Sequence, residues 1–170
     1  WKQRVPWLLL LMISATFTST IIASYEGALA TSVVLTGFIP MLMDTGGNAG
    51  SQSSITVIRG LSLGEIRYRD VPRLVGKELC VAVLCGLSLA AANFIKLMLV
   101  DRVTLPVAAV VSLTLVCVVL VSNFVGSVLP VLAKRIGFDP AVMASPFITT
   151  IVDAVALIIY FNIAKLLLGI

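Results

Sequence analysis

The chain has 170 residues, 59% of them hydrophobic and 12% charged, with a mean hydropathy of +1.12 and a formal net charge of +4. A soluble domain carries about 25% charged residues, and one core of this size cannot hide so much apolar surface. A soluble enzyme, a nucleic-acid binder and a disordered chain are therefore excluded, and an integral membrane protein remains. There is no histidine, which removes imidazole catalysis and imidazole metal ligation.

Charges delimit the elements, because a membrane-crossing helix needs about 20 apolar residues. Residues 5–25, 79–95 and 103–133 carry no charge, 27–58 carry only Asp44 before Arg59, and 140–164 carry only Asp153. Five helices are predicted, over 5–24, 28–43 with an extension, 75–97, 104–132 and 141–164. They must be helices, since five short strands cannot close a barrel and would leave bare edges in lipid. The predicted fold is an all-α bundle of five transmembrane helices. With a cytoplasmic N-terminus, the inner segments hold Lys2, Arg4, Arg59, Arg67, Arg69, Arg73, Lys77, Lys134 and Arg135, against Lys96, Arg102 and Lys165 outside. That bias predicts the N-terminus inside and the C-terminus outside.

The first helix is crowded with hydroxyls: Ser14, Thr16, Thr18, Ser19, Thr20 and Ser24. These read as backbone satisfaction, and Tyr25-Glu26-Gly27 reads as a short outer hairpin. The second segment breaks its apolar character at Pro40 and then at Asp44-Thr-Gly46-Gly47-Asn48-Ala-Gly50-Ser-Gln52. Glycines concentrated at membrane depth allow local unwinding or very close backbone packing. Asp44, Asn48 and Gln52 recur at i, i+4 and i+8, so they share a helix face. That face suits a cation path, or a helix-packing seam with polar side chains as glue. Asp44 is placed near the cytoplasmic end, where water screens it. The connector 61–75 carries arginines suited to anionic headgroups.

In the third helix Gly86 and Ala90 form a small-residue pair. In the fourth, Asn123, Gly126, Ser127 and Pro130 read as packing features, Pro130 with a kink. Cys80, Cys85 and Cys117 all lie in apolar runs and read as buried small hydrophobes, not a disulfide or zinc framework. In the fifth segment Ser145, Thr149 and Asp153 share one face at i, i+4 and i+8. An intramembrane carboxylate is expensive and faces the bundle interior or water. Above two hydroxyls it makes a ladder for a hydrated cation, and the competing reading is an ion pair with an arginine from another helix.

Three stretches in this order resemble the membrane domain of the MgtE family of magnesium channels and transporters: residues 40–52 (PMLMDTGGNAGSQ), 59–66 (RGLSLGEI) and 139–153 (DPAVMASPFITTIVD). The resemblance covers essentially the whole chain, 1–170, as one transmembrane pore domain. It implies a homodimer in the plasma membrane whose pore, between the subunits, is lined by the second and fifth helices. It implies that Asp153 is the pore carboxylate for Mg²⁺, that Thr149 and Ser145 line the same path, and that Gly46, Gly47 and Asn48 belong to the second-helix pore segment. Bacterial members carry a cytoplasmic regulatory region ahead of the first span. This chain, which opens on Trp1, has no counterpart and is expected to be an excised pore domain.

The chemistry agrees. Mg²⁺ dehydrates reluctantly and prefers oxygen, and no thiol or imidazole stands beside Asp153, which disfavours softer metals. The expected function is a magnesium pore, not an enzyme. Three rivals are a sodium- or proton-coupled exchanger using the same site, a purely structural anchor, which needs neither Asp153 nor the glycine-rich break, and, remotely, an intramembrane aspartic protease built on Asp44-Thr45-Gly46. The protease reading is weak because that triplet belongs to a β-type loop in soluble proteases.

Overall fold

The computed structural model describes residues 1, 2, 4–25, 27, 32–140 and 145–169. These form α1 (Arg4–Ser24), a single turn α2 (Val33–Thr36), α3 (Ile39–Ser62), a 3-10 turn (Tyr68–Asp70), α4 (Val71–Leu99), α5 (Leu105–Arg135) and α6 (Ser145–Leu168), with no strand among the described residues. Prolines fall in the first turns of α3, α4 and α5. There their missing N–H costs nothing and their fixed φ suits the helix.

α5 is the axis of the bundle. It packs on α3, α4 and α6, α3 also packs on α6, and α1 leans on α6. Apolarity explains its place: a helix apolar on every side is the one that can be surrounded. Its buried residues recur through Ala108, Val111, Leu115, Val118, Ser122 and Gly126 to Pro130. Pro130 does not end the helix, which continues to Arg135. One end of the core joins Leu35, Leu42, Val110, Val111, Leu157 and Phe161. There Tyr160 donates its hydroxyl hydrogen to the Leu35 carbonyl at 2.9 Å, and Tyr25 stacks on Phe161 with ring centroids 4.4 Å apart. At the other end Lys134 Nζ donates to the Leu61 carbonyl at 2.8 Å, satisfying a carbonyl in the last turn of α3.

Three helices among the described residues are long and apolar enough to cross a membrane: Val71–Leu99, Leu105–Arg135 and Pro146–Leu168. α1 adds a shorter apolar stretch, Leu8–Ser24. α3 has the length, 24 residues or about 36 Å, but its polar stripe lowers its apolarity.

The second segment departs most from expectation. Residues 28–31 lie outside the described residues, as does Glu26 of the expected hairpin. Val33–Thr36 is a separate turn, the chain bends at Gly37-Phe38, and the long helix begins at Ile39 and runs to Ser62. The glycine-rich stretch is thus helical throughout, and close packing rather than unwinding is the use made of it. Asp44 consequently sits in the second turn of α3, about 27 Å from its C-terminal end, whereas the expected helix, without its extension, stopped at residue 43.

The cysteines also differ from expectation: Cys80 and Cys85 are exposed on the protomer and Cys117 is half-buried. α4 buries one stripe, Ala82, Gly86, Ala90 and Leu97, and Gly86 approaches Val116 and Val119 of α5 there. The two cysteines lie off that stripe. The hydroxyls of α1 behave as expected, with Ser14, Thr16, Ser19 and Thr20 each donating to the carbonyl four residues back.

Candidate ion site

The site is built by glycines. A Cβ on Gly46 would stand 2.6 Å from Val118 Cγ1 and 2.9 Å from Val152 Cγ1, and one on Gly50 would stand 2.8 Å from Ile148 Cγ2 and 3.0 Å from the Ser122 carbonyl oxygen. A Cβ on Gly126 would overlap the Gly50 backbone. α3 therefore meets α5 nearly backbone to backbone and lies close along α6, which no larger residue permits. Gly47 lets the Thr149 methyl in, with a Cβ there only 3.0 Å from Thr149 Cγ2.

That approach aligns two polar stripes. Met43, Asp44, Gly47 and Asn48 of α3 and Thr149 and Asp153 of α6 line one cleft of about 160 Å³. Asn48 Nδ2 donates to Asp44 Oδ2 at 3.1 Å, fixing that carboxylate along its own helix. Thr149 Oγ1 donates to the Pro146 carbonyl at 3.0 Å, which ties the side chain to the start of its own helix. Asp44 and Asn48 are exposed on the protomer, while Asp153 is half-buried. A water occupies about 30 Å³ in the liquid, so the cleft has room for several waters, and its open side leaves a hydrated ion free to keep the rest of its shell.

Among the described residues no lysine or arginine lines the cleft, and Lys96 pairs instead with Asp101, at 2.6 Å. The arginine-paired reading of Asp153 has no support in this geometry. Nor do three His, Cys, Asp or Glu side chains converge anywhere among the described residues. Two carboxylates, an amide and a hydroxyl around a hydrated space suit an ion that keeps its waters better than one stripped and caged.

The predicted residues thus fall into groups. Asp44, Gly47, Asn48, Thr149 and Asp153 come together. Gly46 is buried in the α3–α5–α6 contact and serves packing. Gln52 faces a different cavity, of about 700 Å³ between α3, α4 and α5, which Asp44 and Asn48 also line. Ser145 opens α6, and its side chain lies outside what the structure describes. Sequence reasoning missed Glu78, on the wall of the larger cavity. It stands beside Lys77 in the charged first turns of α4 and reads as part of a solvated helix end. Only its bond from Ser53 Oγ, at 2.8 Å, shows that it turns inward.

Similarity to known proteins agrees with this chemistry. Residues 39–163, most of the chain and all of α3 to α5, match the MgtE family, described as divalent cation transporters. The chain is 37% identical to the magnesium transporter MgtE of Thermus thermophilus, over 99% of its own length and 37% of the relative's. It is 36% identical to the Enterococcus faecalis protein of the same name, over 97% of this chain and 36% of that one. The corresponding Bacillus subtilis protein is 32% identical over 95% of this chain and 36% of its own length. The chain spans a little over a third of each of these relatives. The family is one of transporters, not of enzymes. A cleft of paired carboxylates on apolar helices, with a family match through the helices that build most of it, makes this chain a member of the MgtE family of divalent cation transporters.

Proposed function

We propose that the chain forms the membrane-spanning pore of a magnesium channel or transporter of the plasma membrane, passing hydrated Mg²⁺ between two copies of itself. The carrying observation is the cleft shared by Asp44 and Asp153, open on the face of one protomer. A carboxylate stripe facing lipid is costly, and a second copy related by a two-fold axis covers it with an identical stripe. Two facing Asp153 residues then present two negative charges to one divalent ion, with Thr149, Asn48 and Asp44 along the approach and Ser145 at the start of the same helix face. Outer-sphere attraction of this kind holds the ion firmly enough to admit it and loosely enough to release it. Five crossings, by α1, α3, α4, α5 and α6, with the N-terminus cytoplasmic and the C-terminus outside, fit the charge bias along the chain. The relatives named as magnesium transporters support the choice of ion. Their additional length is room for the cytoplasmic regulatory domains that the family resemblance implies.

The test is Asp153→Asn in protein reconstituted into liposomes. The swap keeps shape and hydrogen bonding and removes the charge. Mg²⁺ flux should fall by about tenfold or more while elution and helicity stay at parental values. Parental flux in a folded Asp153→Asn protein would refute the reading. Running the assay with and without sodium and pH gradients tests for a coupled exchanger in the same measurement.

A further inference from the structure

A cavity larger than the Asp153 cleft lies elsewhere in the bundle. α3 and α4 both rest on α5, and the groove left between them is the space of about 700 Å³. No α6 residue lines it. Its polar lining includes Asn48, Gln52 and Ser53 on α3, Glu78 and Ser88 on α4, and Asn123 on α5.

Three of these form a built group. Ser53 is only 3% exposed; its hydroxyl donates to Glu78 Oε2 at 2.8 Å and lies 3.3 Å from the Asn123 backbone carbonyl. It therefore holds the Glu78 carboxylate at the α3–α5 seam. Asn123 is 6% exposed, lines the same cavity, and its side-chain oxygen Oδ1 is buried without a hydrogen-bond donor. A buried acceptor left unmet costs about 1–3 kcal/mol, so such an atom in a native structure calls for an occupant. A Lys or Arg side chain does not supply it, since none lines the cavity. A carboxylate on the wall of a roomy groove and an amide oxygen buried just behind that wall are the donor types of a hard divalent cation that retains part of its water.

We propose that this groove is a second divalent-cation site, contained within one protomer, with Glu78 and Asn123 Oδ1 as its protein donors and Ser53 as the positioning residue for Glu78. It is distinct from the Asp153 cleft, which draws on α6, and stands or falls independently of it. The two spaces share Asp44 and Asn48, so an ion in the groove lies one helix face away from the proposed pathway.

Mn²⁺ is the probe, counted by electron paramagnetic resonance on the purified chain in lipid nanodiscs. Asp153→Asn should retain a Mn²⁺ signal, and adding Glu78→Gln should weaken that remaining binding by about tenfold or more. Asn123→Asp, nearly equal in volume and one charge richer, should tighten it, and Asn123→Leu should loosen it by about threefold or more. The Asn123 variants keep the test decisive if Glu78→Gln does not fold. The proposal is overturned if a folded Asp153→Asn/Glu78→Gln protein binds Mn²⁺ as Asp153→Asn does, because Glu78 is then merely a carboxylate satisfied by Ser53. Unchanged affinity in Asn123→Asp, which would mark an ordinary buried water at Oδ1, overturns it equally. So does complete loss of Mn²⁺ in Asp153→Asn alone, an outcome that leaves the Asp153 pathway standing.

Discussion

Single residues here act by what they leave out as much as by what they supply. Gly126 and Gly50 let α3 and α5 meet at the backbone. Gly126→Val should therefore force the two helices apart, at a cost of about 1–3 kcal/mol or more, seen as a lowered Tm in detergent. Gly76 is the control: it lies within α4, and a Cβ there meets nothing within 4 Å. Gly76→Ala should hold Tm or raise it slightly, a stabilisation of about 0.4–1 kcal/mol, because alanine restricts the unfolded chain. Equal losses in both variants would remove the close-approach explanation. Asp153 and the polar i, i+4 run in α3 were legible from sequence, since intramembrane carboxylates are rare and their helical spacing is simple arithmetic. Glu78 was not, because a carboxylate beside a lysine at a helix start resembles solvated surface.

At the scale of elements, apolar length located α1, α4, α5 and α6 well, because a lipid-facing helix must be apolar along its whole crossing. The helix between α1 and α4 was misplaced for the same reason. Apolarity marks lipid contact, whereas α3 earns its place through glycine-mediated contact and can carry Asp44, Asn48 and Gln52 within 24 residues. The end reached by α3, with Arg59 in its last turn, meets the start of α4, with Arg73 and Lys77, through the 3-10 turn Tyr68–Asp70. These cations should lie on the cytoplasmic side. In a variant lacking the native cysteines, a cysteine at position 67 should react with an impermeant thiol reagent only from the cytoplasmic face, and one at position 165 only from outside. Reversed labelling would invert the proposed orientation.

For the whole molecule, the decisive feature is a polar cleft on the open face of a largely apolar bundle, with two carboxylates in it. Asn48 is exposed on that face. If two copies close over it, Asn48→Cys in the cysteine-free background should form a disulfide-linked dimer on mild oxidation in membranes. A cysteine in place of Ile95, exposed on α4 and lining neither cavity, should not. Crosslinking at position 95 and none at position 48 would place the interface elsewhere and end the two-copy pathway.

Composition alone determined that this chain lives in lipid and is helical, because hydropathy and backbone satisfaction leave no other structure across a bilayer. Spacing determined which polar residues share a helix face. The tertiary structure decided which faces meet: Asp44 and Asp153 are 109 positions apart in the sequence and share a cleft only because Gly46, Gly47 and Gly50 let α3 lie against α6 and α5. It also decided that Glu78, Ser53 and Asn123 form a group, since each comes from a different helix and only the packing on α5 brings them together. Periodicity is a property of one helix, whereas a site between helices depends on how closely their backbones can approach.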